Sequence, residues 1–232
     1  FGCVFTCASV SSSLANSILS LYVLNNPSFE IKRWHSFVTF EAINLALSVF
    51  NIWGRYLPHI VTSGLWISLI GFVVTMITCL ACSSGRYNLG NFVFSDYTNI
   101  TGWNNKALSF IIGLISPIWC FAGLDSAVHM VDDLGVKAGK VLIPRAVICT
   151  VALGFLTAFA YSVAIFFCAT DVSEVVESTL PLLTIFYQST KNKSAAIFLE
   201  VLTILTGIVC NISAHAWQAR VCWTLAGSEA LP

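Results

Sequence analysis

Residues 108–133, LSFIIGLISPIWCFAGLDSAVHMVDD, decide the fold of this chain. The segment is long enough to cross a bilayer, but Pro117 and Gly123 interrupt it and Asp125 lies inside it. Proline removes a helical donor, glycine weakens a helix, and a carboxylate in hydrocarbon is costly without water, a partner or a ligand. These features are typical of a discontinuous transporter helix, whose unwound backbone coordinates a solute. The alternative is a proline-kinked structural helix in which Asp125 pairs with a neighbour.

The composition indicates an integral membrane protein. Of 232 residues, 57% are hydrophobic and only 9% are charged, whereas a soluble domain carries about 25% charged residues. The net charge is zero and no basic run is present, so we expect no nucleic-acid partner. The chain begins without a basic leader region, so we expect no signal peptide and a fragment of a longer protein.

Nine cysteines are present, nearly all inside apolar segments, where they act as small packing residues. Cys79 and Cys82 form a C-x-x-C without a second pair or a nearby histidine cluster. The cysteines therefore predict neither a metal site nor a cofactor.

Six segments reach membrane-spanning length, and together they predict a single all-α transmembrane domain, a polytopic helix bundle. They cover about residues 3–24, 37–53, 59–81, 108–131, 144–169 and 195–217. Six crossings put the glycosylation sequons Asn99-Ile-Thr101 and Asn192-Lys-Ser194 on one side, which we expect to be the exterior. Lys and Arg counts do not decide the orientation. The stretch Leu180–Tyr187 is too short to cross and is expected to lie on the bundle.

Two aromatic residues and an acid surround the break in residues 108–133. Trp119 and Phe121 offer ring faces that attract an ammonium group, and Asp125 adds charge complementarity and a group that can take up a proton. Ala122 and Gly123 leave room for backbone groups to meet a ligand. We therefore predict that these five residues bind a small cationic or zwitterionic amine.

Four polar side chains fall at i, i+4, i+7 and i+8, on one helical face: Asp125, His129, Asp132 and Asp133. That spacing could bind a metal in an intramembrane hydrolase, with His215 as the one plausible further ligand. For His129, Asp132 and Asp133 the favoured interpretation is a polar helix end at the inner surface, which pairs with Arg145 or Lys137 as a gate. A helical-bundle receptor is a third hypothesis, although signalling does not require a broken helix.

The motif Trp119-Cys-Phe-Ala-Gly-Leu-Asp-Ser-Ala-Val-His-Met130, followed by two acids and Pro144, resembles a known family. It is similar to the sixth transmembrane helix of the amino acid–polyamine–organocation transporters, particularly the fungal amino acid/choline permease branch. There W-x-F-x-G-x-(D/E) forms the unwound substrate segment. Thr101-Gly-Trp103 also matches that branch, and Arg220-x-x-Trp223 through Leu231-Pro232 is similar to the close of the eighth helix. The resemblance covers helices three to eight of a twelve-helix LeuT-type fold.

The resemblance implies a secondary transporter, not an enzyme, for an amino acid, choline or a related amine. It implies that Trp119 contacts the substrate amine, that Gly123 is a hinge and that Asp125 is a gate or proton-sensitive acid. Proton coupling, a multi-pass location in the plasma membrane and an external position for both sequons are further expectations.

The sequence departs from the family pattern in three ways. Ala226-Gly-Ser-Glu229 replaces the usual A-R-D-G, which loses a basic–acidic pair and puts cytoplasmic gating in doubt. Asp132 and Asp133 stand where glutamates are common. Helices one and two are missing, and because the first provides half of the substrate site, we do not expect the fragment alone to transport.

Overall fold

The computed structural model describes residues 1–97, 99, 101–130 and 136–227 of the chain. Throughout these residues the regular structure is helical. The α-helices are α1 (Gly2–Asn25), α2 (Arg33–Phe50), α3 (Leu57–Cys82), α4 (Gly90–Phe94), α5 (Lys106–Gly113), α6 (Ile115–Ile118), α7 (Val136–Cys168), α8 (Val172–Glu177), α9 (Pro181–Thr190) and α10 (Lys193–Gly227). Two 3₁₀ segments, Trp119–Phe121 and Leu124–Met130, follow α6.

Within the described ranges, five helical segments are long and apolar enough to cross a membrane. These segments are Gly2–Asn25, Leu57–Cys82, Lys106–His129, Gly139–Cys168 and Lys193–Gly227. α2 covers most of the second expected span, but it contains Arg33, Glu41 and Asn44 and is less apolar. The predicted fold class, a polytopic helical bundle with a discontinuous helix, is confirmed.

The fifth expected span begins earlier than the sequence suggested. Pro144 was expected in the first helical turn, but it lies inside α7, which starts at Val136. Proline is tolerated inside transmembrane helices because neighbouring groups can satisfy the backbone atoms that it frees. For this reason proline is a weak marker of a helix start in a membrane protein.

The helices divide into two compact units. The first contains residues 1–87 with the described residues from 168 onward, and the second contains residues 88–167. In the first unit, α10 packs against α1, α3, α9 and α2, while α1 also packs against α2. Its apolar core includes Leu14, Leu47, Ile204 and Ile212. α9 contributes the fully buried Phe186, so the segment expected to lie on the bundle is a helix that packs on it.

A polar contact links three helices of the first unit. The Asn211 amide on α10 donates to Ser11 Oγ on α1 at 2.8 Å, and Ser11 Oγ donates to Asn44 Oδ1 on α2 at 3.2 Å. Ser11 and Asn211 are fully buried. Because a polar side chain in an apolar interior needs a partner, these bonds favour one register between α1, α2 and α10.

Arg86 joins two helix ends in the same unit. Its guanidinium donates to the carbonyls of Cys82 at 2.7 Å and Ser189 at 2.9 Å. The last carbonyls of a helix have no intrahelical donor, and they carry partial negative charge. Arg86 therefore stabilises the C-terminal ends of α3 and α9 together.

Glycine lets α3 approach α10 closely. A Cβ atom placed on Gly64 would come within 2.8 Å of Val209 Cβ, whereas one placed on Gly71 would lie 3.8 Å from Thr206 Oγ1. Lipid gives no hydrophobic drive between helices, so close backbone packing contributes much of their association.

We expect Gly64→Ala to lower the free energy of unfolding by about 1–3 kcal/mol, the usual cost of overpacking. Gly71→Ala, on the same helix, is the matched control and should change stability little, because its new methyl group meets only ordinary van der Waals neighbours. Thermal unfolding of the full-length protein in detergent measures both. Equal melting temperatures for the two variants would contradict this account of the α3–α10 contact.

Candidate functional site

The interrupted helix runs through α5 and α6 and then leaves α-helical geometry. Trp119–Phe121 is a 3₁₀ turn, Ala122 is extended with φ −62° and ψ 139°, and Gly123 has φ +83°. A second 3₁₀ segment begins at Leu124. The segment is therefore broken at Ala122–Gly123, as the sequence predicted, and is not merely kinked.

The local sequence explains why the break occurs here. Pro117 in α6 provides no N–H for the preceding turn. A positive φ such as that of Gly123 costs most residues about 1–2 kcal/mol, and glycine avoids that cost. A helical segment leaves its first N–H groups and last carbonyls without intrahelical partners. The break thus presents backbone polar groups inside an otherwise apolar segment.

Trp119 and Asp125 lie on either side of the break, and both are exposed. Trp119 is 51% exposed. The side chain of Asp125 is 58% exposed, and its Oδ2 lies 3.8 Å from His129 Nε2. That separation is long for a direct hydrogen bond. Neither the indole nor the carboxylate is therefore buried by the described part of the chain.

Phe121 has a packing partner. A Cβ atom placed on Gly154 of α7 would lie 3.9 Å from the Phe121 ring and 3.9 Å from the Cys120 carbonyl oxygen. These are ordinary van der Waals distances, so the broken segment packs against α7 at Gly154 without requiring a glycine there. By contrast, a Cβ atom placed on Gly123 would meet no atom within 4 Å. The backbone at the break is accessible on the side where a side chain would project.

Two of the four acids and histidines predicted on one helical face can be located. Asp125 and His129 face each other, whereas Asp132 and Asp133 lie outside the described residues. His215, the further ligand of the hydrolase hypothesis, belongs to the first compact unit. In the described part of the chain, no group of three metal-ligating side chains comes together.

Sequence reasoning missed Glu200 of α10. Its exposed fraction is 1%, and neither carboxyl oxygen has a hydrogen-bond partner. The signal was present, because Glu200 is an acid inside an expected span, the same observation that drew attention to Asp125. Asn211 of the same helix is a second buried polar residue, and its amide donates to Ser11.

Comparison with known proteins gives one family and several transporters. The family model described as "Amino acid permease" matches residues 1–232. The chain is 46% identical over 233 residues to a choline transporter of Saccharomyces cerevisiae. That alignment covers 100% of this chain and 41% of the yeast protein. It is 42% identical over 225 residues to the 7-keto 8-aminopelargonic acid transporter of the same yeast. This second alignment covers 95% of this chain and 40% of the yeast protein.

A more distant relative is a putative amino acid/polyamine transporter of Macrophomina phaseolina, 29% identical over 224 residues, with 94% of this chain and 48% of that protein covered. The chain thus spans less than half the length of these relatives. No solved structure matches it.

Proposed function

Since the chain belongs to the amino acid permease family, whose model matches residues 1–232, we propose that the protein moves a small amine or amino acid across a membrane by secondary active transport. It is an integral membrane protein with several spans. Its location in the plasma membrane is part of the proposal.

The observation that carries the proposal is the break at Ala122–Gly123 within the apolar segment Lys106–His129. Unsatisfied backbone groups are costly in hydrocarbon, and irregular backbone is tolerated there only where it is buried in protein or lines a cavity. Broken helices with this property form the substrate sites of many secondary transporters. A transport site is therefore a physical explanation for the break.

The chemistry of the side chains supports an amine as the substrate. The exposed indole of Trp119 attracts an ammonium group through its negative ring face, and the Asp125 carboxylate adds opposite charge. The names of the two yeast relatives specify choline and an amino-substituted acid. Both substrates carry a nitrogen centre that such a site recognises. The backbone N–H and carbonyl groups at the break would supply further polar contacts to such a substrate.

In the proposed cycle the break is the part of the fold that changes. Gly123 supplies a conformationally free point between two short helical segments. The substrate would favour the state in which the N–H groups, Trp119 and Asp125 converge on it, since a ligand shifts a protein toward the state that it binds better. Access would then alternate between the two sides of the membrane.

The substrate is identified by uptake in a transport-deficient yeast that expresses the full-length protein. We expect one radiolabelled compound from a panel of choline, γ-aminobutyrate, polyamines and amino acids to accumulate inside the cells, in competition with its analogues. Saturable binding without accumulation would favour the receptor hypothesis instead. Elemental analysis of the purified protein tests the hydrolase hypothesis, which requires a bound metal that His129→Ala removes.

A further inference from the structure

Glu200 is a fully buried acid in the first compact unit. It lies on α10, within a helix of membrane-spanning length, and 1% of it is exposed. Neither Oε1 nor Oε2 has a hydrogen-bond partner. An ionised carboxylate in such surroundings is costly, and a buried polar group without a partner requires an explanation.

Two serines of α1, Ser17 and Ser20, extend the polar region near Glu200. The Ser17 hydroxyl lies near the Glu200 carboxyl, although the two groups do not form a hydrogen bond. Ser20 follows three residues later, on the same side of the helix. The Ser20 hydroxyl is also buried without a hydrogen-bond partner. Two buried groups, the Glu200 carboxyl and the Ser20 hydroxyl, thus lack hydrogen-bond partners in the described protein, which points to a ligand that they bind or pass on.

Ser20 also borders a cavity of about 290 Å³. The cavity lies between the end of α1 and the short helices α8 and α9, and its lining includes Glu174, Thr184 and Tyr187. It is found at the end of the unit where α10 begins, directly after the Asn192 sequon. That end is the predicted exterior. Among the lining residues of α1, Ser20 is the one nearest to Ser17 in the sequence.

The elements that pack against α10 provide no ion-pair partner for Glu200. Those elements are α1, α2, α3 and α9. The titratable side chains of these four helices are Cys3, Cys7 and Tyr22 on α1; Arg33, His35 and Glu41 on α2; His59, Cys79 and Cys82 on α3; and Tyr187 on α9. The other titratable side chains of α10 itself are Lys193, Cys210, His215, Arg220 and Cys222. None of them contacts the carboxyl within hydrogen-bonding distance. In the described part of the chain, the Glu200 carboxyl therefore has no ion-pair partner.

We propose that Glu200 is the proton-binding group of the transporter, loaded from the cavity through Ser20 and Ser17. Each hydroxyl accepts one proton and donates one, so the net step moves a proton from water in the cavity to the carboxylate, which becomes a neutral acid. Release to water on the opposite side restores the carboxylate, and no electrons or further reactants are involved. This inference rests on the proposed transport function, and it moves the proton-binding role from Asp125, which faces His129, to Glu200.

Glu200→Gln tests the assignment in the full-length protein reconstituted into liposomes. The probes are radiolabelled choline and γ-aminobutyrate, assayed separately by counterflow and by accumulation driven by an inward pH gradient. We expect the variant to retain counterflow, which needs only substrate exchange, and to lose accumulation down to the level of empty liposomes. Glu177→Gln removes an exposed acid at the end of α8 and is the matched control; it should behave like the wild type.

The outcomes separate the two proposals. Gradient-driven accumulation by Glu200→Gln equal to that of the wild type would overturn the role of Glu200. Absence of both counterflow and accumulation in the wild type, for every compound of the panel, would instead overturn the transport function.

If Glu200→Gln loses both counterflow and accumulation, carbodiimide labelling of the wild type tests whether Glu200 binds a proton. Dicyclohexylcarbodiimide reacts with protonated carboxyl groups in apolar surroundings, so mass spectrometry should find it on the peptide that contains Glu200. The labelling should decrease as the pH rises. Unlabelled Glu200 at every pH tested would overturn the proposal.

Discussion

Replacing Trp119 by leucine should raise the KM for a cationic amine roughly 2- to 30-fold, the equivalent of a lost cation–π contact of about 0.5–2 kcal/mol. Leucine keeps much of the apolar volume but has no ring face. Trp119→Phe should recover part of the affinity, because phenylalanine retains an aromatic face with a weaker attraction for cations. The measurement is the concentration dependence of uptake by the full-length protein, normalised to the amount at the cell surface.

Trp66→Leu is the control for this experiment. Trp66 lies on α3 and is 61% exposed, similar to Trp119. The loss of an exposed indole there should leave the KM unchanged. If Trp119→Leu and Trp66→Leu have the same KM as the wild type, Trp119 does not contact the substrate.

Gly123→Ala should lower the maximal rate of uptake by about tenfold. The φ of Gly123 is +83°, and forcing a side chain into this region costs about 1–2 kcal/mol, the equivalent of about a tenfold change in an equilibrium constant. The cost is backbone strain in the state with the break and not a steric clash, because a Cβ atom at this position would meet no neighbouring atom. Gly123→Asn should retain more activity, since asparagine adopts positive φ more readily than alanine.

Gly85 provides a matched control for backbone strain. It has φ +79° in the turn after α3, and a Cβ atom there would also meet no neighbour. Gly85→Ala therefore introduces the same strain away from the break and should leave uptake near the wild-type rate. Equal losses of uptake in Gly85→Ala and Gly123→Ala would show that the effect is a general loss of stability.

The position of the break was predictable because its causes are local. Pro117 and Gly123 act on their own backbone, so their effect follows from residue type and position alone. The same holds for the membrane-spanning segments, which depend on length and apolar composition. The extension of α7 past Pro144 was not predictable in this way, because neighbouring groups decide whether a helix accepts a proline.

Contacts between segments that are distant in the sequence could not be predicted from it. Ser11 and Asn211 are 200 residues apart, and no pattern in either helix indicates that they meet. Glu200 illustrates a different difficulty. An acid inside a span is visible in the sequence, but only the packing of α1 and α10 shows that its carboxyl group is buried beside Ser17 without a hydrogen-bond partner. The candidate amine site was predicted from one continuous stretch, whereas the proposed proton site required two helices.

The central claim is that the backbone at residues 119–126 is unwound to bind a solute. Hydrogen–deuterium exchange of the full-length protein measures this directly, with and without the substrate identified by the uptake panel. We predict faster amide exchange in residues 119–126 than in α5, and slower exchange there when the substrate binds. Exchange as slow as in α5, unchanged by substrate, would contradict the claim.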